Sequence, residues 1–277
     1  MSLPVSVIVV TKNEEKRLSA CLEALALGNF DDVWVVDSQS GDATCAIAAQ
    51  HGARVEDYIW NGKYPKKRGW CLEYLELAHD WVFFVDADEI VSVDMLREIE
   101  ALNLASSEIA GYFVPGRYVW HGRRLSYGLN NNKLALFNRR KVEFPVVDDL
   151  GLSGMGEIEG HYQPVLKAGY ARAEIGQLDA ALDHEIDAGW TARHLRYAMW
   201  EAGMNARGSW PVDPKPWRQA MKRVFRAFPF RGLAAFVHCY VWKRGFMDGA
   251  AGFDFARSRA RYYRMISDAS KGLAQLS

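Results

Sequence analysis

The sequence predicts an α/β fold, a mostly parallel central sheet flanked by helices, followed by a helical C-terminal extension. Three observations carry this expectation. Short, almost unbroken apolar runs alternate with segments whose apolar residues recur every three or four positions, the pattern of βα units around a parallel sheet. The early runs end in small clusters of polar residues. Beyond about residue 187 the strand-like runs stop, and arginine, tryptophan and tyrosine accumulate. Residues 1–186 are therefore read as the α/β domain, in halves 1–100 and 101–186, and residues 187–277 as the helical region.

The first run, residues 5–10, is apolar and β-branched, broken only by Ser6, as expected of a parallel strand covered on both faces. A polar turn, Thr11-Lys12-Asn13-Glu14-Glu15, follows it. Leu18, Cys21, Leu22, Leu25 and Ala26 then mark one face of a helix that ends near Gly28. The unit repeats with a strand at 33–36, a loop Asp37-Ser38-Gln39-Ser40-Gly41-Asp42, and a helix at 43–50 closed by Gly52. A shorter strand is expected at 53–55, a helix at 66–78, and a buried strand at 81–85 that runs into Asp86-Ala87-Asp88-Glu89. Ser92 is placed to cap the next helix. From Gly111 the pattern loosens, with extended candidates at 112–114, 117–120 and 133–137, and a proline-broken link stands at 211–216.

With 277 residues and about half of them apolar, the chain can bury a proper core, and its balanced charge, 34 basic against 34 acidic side chains, gives no global reason to expect nucleic acid as a partner. Four widely spaced cysteines form no C-x-x-C pair, which argues against a zinc ribbon, a redox motif or a disulfide framework. The N-terminus enters a strand within a few residues and lacks a signal-peptide pattern, so a cytoplasmic location is expected.

In an open parallel sheet, ligands sit beyond the carboxyl ends of the strands. Thr11, Asn13 and Glu14 follow the first strand, Asp37, Ser38 and Ser40 the second, and Asp86 and Asp88 the strand at 81–85. Two carboxylates two residues apart project to one side of an extended segment and can share a hard cation that bridges diphosphate oxygens. The same acids also suit an ordinary loop before a helix. Asp37 can accept from ribose or base, or simply favour its turn, and the Thr11 to Glu14 segment can cap a helix. No G-x-G-x-x-G and no G-x-x-x-x-G-K-[ST] occurs, which removes the dinucleotide-dehydrogenase and P-loop grips on phosphate. The remaining candidates for that grip are the cation at Asp86 and Asp88 and the basic group Lys66-Lys67-Arg68, which is otherwise solvated surface.

The ordered segments V-S-V-I-V-V-T-K-N-E-E, V-V-D-S-Q-S-G-D-A-T and W-V-F-F-V-D-A-D-E resemble the inverting family 2 glycosyltransferases, closest to their lipopolysaccharide-core glucosyltransferase-like branch. The resemblance is clearest over residues 3–100 and continues in W-K-R-G-F-M-D-G-A-A-G-F near the C-terminus. It implies a GT-A fold, a nucleotide-binding half at 1–100 and an acceptor half at 101–186. It also implies Thr11, Asn13, Glu14, Asp37 and Ser38 on the nucleoside, and Lys67, Arg68, Asp86 and Ala87 near the diphosphate. Asp88 and Asp86 would serve Mn2+ or Mg2+. The donor would be an NDP-sugar, UDP-sugar first, and the acceptor a hydroxyl of a lipid-linked or cell-envelope glycan. A sugar-phosphate nucleotidyltransferase and a non-catalytic nucleotide-sugar-binding protein are the competing readings.

The H-E pair of that branch is not present as such, and Gly156-Glu157-Ile158-Glu159-Gly160-His161-Tyr162 stands in its region. Glu159 is the first choice for general base. Glu157, on the same side of a segment taken as extended, comes next, and Asp148 and Asp149 are weaker candidates; each is otherwise a surface acid. His161 and His184 are candidate metal ligands or ordinary hydrogen-bonded histidines. The stretch from Leu178 through Leu182 to His184 resembles the L-x-x-x-L-x-H that closes the catalytic domain in this branch, which favours His184. Residues 224–242 are apolar but carry Arg226, Arg231 and His238, too polar for a spanning helix. Arg218, Lys222, Arg223, Arg226, Arg231, Lys243 and Arg244, interleaved with Trp217, Phe225, Phe228, Phe230 and Trp242, fit a helix pair lying on anionic lipid at the inner face of the plasma membrane, or one packed on the α/β domain.

Overall fold

The first apolar run becomes β1 (Leu3–Thr11), and the helical face after it becomes α1 (Leu18–Ala26), burying Leu18, Cys21, Leu22 and Leu25. β2 (Phe30–Asp37), α2 (Thr44–Gln50) and β3 (Arg54–Asp57) complete the second unit, with Gly52 at φ 74° turning the chain out of α2. α3 (Lys67–Tyr74) stops short of the expected residue 78, because Leu75 adopts extended angles and carries Leu75 and Leu77 into the core. β4 (Trp81–Asp86), β5 (Glu89–Ile90) and α4 (Val93–Glu100) follow; the Ser92 hydroxyl accepts from the Met95 N–H at 3.2 Å, the N-cap expected of it.

The extended candidates at 112–114 and 117–120 are one long strand, β6 (Ile109–Trp120). β7 (Arg123–Arg124), β8 (Asn131–Asn138), β9 (Val142–Glu143), β10 (Val165–Leu166), β11 (Glu174–Gln177) and β12 (Leu182–Ile186) precede the helices α5 (Trp190–Arg207), α6 (Pro216–Ala227), α7 (Arg231–Val237) and α8 (Gly249–Leu276). This computed structural model describes residues 2–105, 108–159, 162–186, 189–211, 213 and 216–276.

The chain forms two compact units. The first comprises residues 1–117, 131–144 and 164–185. Its sheet runs β3-β2-β1-β4-β8-β6-β12-β5, parallel from β3 to β4 and antiparallel from β4 through β8 to β6. Alternation within the strands supplies both faces. Val5, Val7, Val9, Phe83 and Val85 pack with α1 and α4 residues such as Leu22 and Met95, while Ile8, Val82 and Phe84 pack with Cys71, Phe113 and Phe137.

The second unit comprises residues 118–130, 145–163 and 186–277. It takes in more than the helical region expected from 187 onward, because Trp120 and Leu125 join Trp190, Ala198, Phe255 and Tyr262 in its core. The G-F-M-D-G-A-A-G segment is a clamp within this unit. Asp248 accepts from the N–H groups of Ser126 and Tyr127 at 3.1 and 2.8 Å, and Gly252 lies so close to the Gly245 carbonyl that an added Cβ would stand 1.9 Å from its oxygen. The basic, aromatic stretch forms two helices in succession: α6, which ends before Pro229, and α7, which runs directly into a π-helical turn at His238–Trp242.

Candidate active site

β1, β2 and β4 end level with one another, since Thr11 is opposite Asp37 and Val10 is opposite Asp86. The chain moves outward from β1 through β2 to β3, then returns to lay β4 on the other side of β1. That reversal is the switch point at which an open sheet forms a ligand crevice.

On the β1 and β2 side, Asp37 is fully buried and accepts from the Thr11 hydroxyl at 2.8 Å and from the Ser40 N–H and hydroxyl, each at 2.6 Å. Burial alone would push its carboxyl up, but the Ser40 and Thr11 hydrogen bonds hold it below the usual range. Asn13, at φ 57°, donates its N–H to the Ser40 hydroxyl and accepts from the Gly41 N–H through Oδ1 at 3.0 Å, so it ties the two loops together. The Glu14 N–H is held by the Thr44 hydroxyl at 2.8 Å. Lys67 is buried and donates to the Thr11 carbonyl at 2.6 Å. Ser38 is also buried, and its Oγ has no partner among the described residues. A buried hydroxyl without a partner is costly unless a ligand or water completes it.

The acidic side departs from expectation in one respect. β4 ends at Asp86, and Ala87 and Asp88 form a turn into β5, so the two carboxylates do not share one side of an extended segment. Asp86 Oδ1 pairs with Arg68 at 2.5 Å and Oδ2 with Lys133 at 2.7 Å. Burial would push Asp86 up, but Lys133 and Arg68 hold its carboxyl well below the usual carboxylate range. Asp88 instead lies 3.6 Å from Arg17 and 3.7 Å from His184 Nδ1. Burial pushes its carboxyl up, against the pull of His184 and with the help of the like charges of Asp86 and Glu89. Ala87 puts its methyl into the apolar core beside Val85 and Val91.

Glu89, with 0% exposure, organises this corner. It accepts from the Asp86 N–H at 3.0 Å, pairs with Lys133 at 2.6 Å, and lies 3.3 Å from His184 Nδ1, which stands opposite it where β12 pairs with β5. Burial would pull the His184 imidazole down, but Asp88 and Glu89 hold it above the usual histidine range. Lys133 is held above the usual lysine range by Asp86 and Glu89 despite burial. Asp88 and His184 offer a carboxylate and an imidazole, ligand types that would suit manganese. Among the described residues, Asp37, Cys45 and Asp57 also bring donor atoms within 4.8 Å of one another.

The structure thus brings together Thr11, Asn13, Glu14, Asp37, Ser38 and Lys67 on one side, and Arg68, Asp86, Asp88 and His184 on the other. Glu157 and Glu159 belong to the second unit. The segment that carries them is not extended: Gly154 and Gly156 take positive φ and Glu157 sits in the resulting turn, half-buried, while Glu159 is buried. Asp149 is buried and accepts from the Trp200 indole N–H at 3.0 Å, and exposed Asp148 pairs with Arg207 at 2.9 Å. His161 lies outside the described residues. Sequence reasoning missed three members of the cluster. Arg17 follows Glu14 at i+3 and pairs with it at 2.5 Å, which its spacing could have suggested. Glu89 stands within the quoted D-A-D-E. Lys133 gives no local signal, because only the pairing of β8 with β4 brings it to Asp86.

The fold and crevice define a doubly wound α/β protein with a charged, ligand-ready site at its switch point. Comparison with known proteins places it further. The chain matches the model of glycosyl transferase family 2 over residues 6–153, and it belongs to that family. An uncharacterized glycosyltransferase of Rickettsia felis is 38% identical over 96 residues, which cover 35% of this chain and 32% of the relative. The lipopolysaccharide core biosynthesis glycosyltransferase LpsC of Rhizobium meliloti is 31% identical over 127 residues, 42% of this chain and 43% of that protein. The chain therefore spans about a third to under half of the length of these relatives. Among solved structures, the mannosyltransferase PcManGT from Pyrobaculum calidifontis, in complex with GDP-Man and Mn2+, superposes with a TM-score of 0.56 at 15% identity, covering 98% of this chain and 87% of that one. That likeness gives the GT-A fold. No helix among the described residues is long and apolar enough to cross a membrane.

Proposed function

We infer that this chain transfers a sugar from an NDP-sugar, with UDP as the first expectation, to a hydroxyl of a lipid-linked or cell-envelope glycan, with inversion at the anomeric carbon. The observation that carries the reading is the crevice at the ends of β1, β2 and β4, where Asp88 and His184 are 3.7 Å apart beside a neutralised Asp86. Membership in the family supports the reaction class, and the relative named for lipopolysaccharide core biosynthesis supports the acceptor class.

In this reading Asp37 and the Ser38 hydroxyl receive the nucleoside, and the fixed Thr11, Asn13 and Ser40 loops hold that end of the crevice open. Asp88 and His184 hold a Mn2+ or Mg2+ ion, with Asp86 in reserve behind Arg68 and Lys133. Such an ion supplies charge stabilisation to the departing diphosphate. Glu159, with Glu157 as the alternative, takes the proton from the acceptor hydroxyl as its oxygen bonds to the anomeric carbon and the carbon–oxygen bond to the diphosphate breaks. A carboxylate base of this kind typically contributes about 10²–10⁴-fold in rate. The C-terminal helices meet the membrane surface that carries the acceptor, which places the protein on the inner face of the plasma membrane.

The test is a calorimetric and thermal-shift panel of UDP, GDP, CDP and dTDP with and without manganese, since a ligand that binds the folded state raises its stability. Stabilisation by one nucleotide, enlarged by manganese, is expected. No response to any nucleotide would overturn the reading.

A further inference from the structure

The second unit holds a groove of about 750 Å³ between α6, α7 and α8, lined by none of the residues assigned above. Its charge is not balanced. Arg218 and Lys222 of α6 share Asp213, and Arg231 of α7 pairs with Glu201 at 2.6 Å. Arg223, Arg226 and Arg264, which line the groove, have no carboxylate within 4.0 Å among the described residues. Arg226 is fixed in place by stacking on Trp210, with its guanidinium 3.9 Å from the ring centroid. Half-buried and stacked, it has lost part of its hydration, and Glu201 and Asp213 act on it only from beyond ion-pair distance. The hydroxyl-bearing side chain of Ser267 lines the same groove.

Arginines without a carboxylate at ion-pair distance, one fixed by stacking and two exposed beside it, suit a phosphate, whose oxygens match the guanidinium fork. The rim says what the phosphate is attached to. Phe228, Phe230 and Leu233 at the groove are 44%, 65% and 64% exposed. Along α6, Trp217, Met221 and Val224 recur at helical spacing, Phe228 follows just past its end, and all four are exposed. A soluble phosphate has no use for an apolar rim, whereas a lipid headgroup brings acyl chains to meet it.

We propose that this groove binds the phosphate of an anionic lipid, with Arg223, Arg226 and Arg264 on the phosphate and the exposed aromatic rim in the adjoining acyl layer. The inference rests on the reading that the C-terminal helices meet a membrane surface; it does not depend on the donor site.

The experiment is co-sedimentation of the full chain with phosphatidylcholine vesicles, with and without phosphatidylglycerol. It compares the unaltered chain, an Arg223→Ala/Arg264→Ala variant, and an Arg257→Ala/Arg261→Ala variant that removes the same charge from exposed positions on α8 outside the groove. Binding should require phosphatidylglycerol and fall about fivefold for each groove arginine removed, roughly 25-fold in the double variant. The second variant should bind as the unaltered chain does. Equal losses in both variants, no loss in the first, or equal binding to vesicles without phosphatidylglycerol would overturn the proposal. So would stabilisation by inorganic phosphate that depends on Arg223 and Arg264 with no vesicle binding, which would make the groove a soluble-phosphate site. UDP binding measured in the same samples separates the two readings: vesicle binding without a UDP response sinks the donor site and leaves the groove, and the reverse sinks the groove alone.

Discussion

In the crevice of the first unit the charges are matched. Asp37 takes three hydrogen bonds from Thr11 and Ser40, Asp86 is flanked by Arg68 and Lys133, and Glu89 by Lys133 and His184. In the helical groove of the second unit Arg223, Arg226 and Arg264 stand without a carboxylate at ion-pair distance among the described residues. The first arrangement fixes the shape of a site before its ligand arrives, which lowers the reorganisation needed on binding. The second leaves cations that the proposal above assigns to an anion. The contrast teaches that charge is used differently in the two places: paired into an organised crevice in one, left open at the surface in the other.

The sharpest way to break this contrast is chemical. If the base comes from the second unit, Glu159→Gln should keep UDP binding and lose about 10²–10⁴-fold in transfer rate. Normal turnover with Glu159→Gln would move the base to Glu157 or elsewhere. A structural perturbation comes next. Gly252→Ala places a methyl against the Gly245 carbonyl and should cost about 1–3 kcal/mol in denaturant unfolding, while the stabilisation by UDP keeps its size. Loss of the UDP response in that variant would show that the crevice depends on the clamp.

The smallest expected effect is on acid stability. Asp37 is held below the usual carboxylate range, so its contribution is complete above about pH 4 and is lost as the pH falls through its lowered folded value. Asp37→Asn should therefore flatten the fall of melting temperature below about pH 4, and cost about 1–2 kcal/mol near neutral pH. An unchanged acid profile would mean that the hydrogen bonds from Ser40 and Thr11 do not distinguish folded from unfolded Asp37.

The first unit was legible because its signals are local. A buried parallel strand reads as an apolar run, its polar end follows at once, and Ser92 caps the next helix from an adjacent position. The candidates Thr11, Asn13, Asp37, Asp86 and Asp88 came from that adjacency. Lys133 did not, because it reaches Asp86 from 47 residues away through an antiparallel strand. The second unit was less legible for the same reason. Residues 118–130 join its core through Trp120 and Leu125, a contact that no periodicity announces. Glu157 was placed on an extended segment, yet glycines 154 and 156 turn the chain there. The arginines and aromatics of α6 were visible as composition, but their division into paired and unpaired cations depends on where Asp213 and Glu201 fall.

The most direct test of the account compares calorimetric titrations of UDP, with and without manganese, into the unaltered chain and Asp88→Ala. Manganese should strengthen UDP binding to the unaltered chain and leave the variant's binding unchanged, with both proteins melting as folded species. Equal strengthening in the two would contradict the assignment of the cation to Asp88 and, with it, the proposed reading of the crevice.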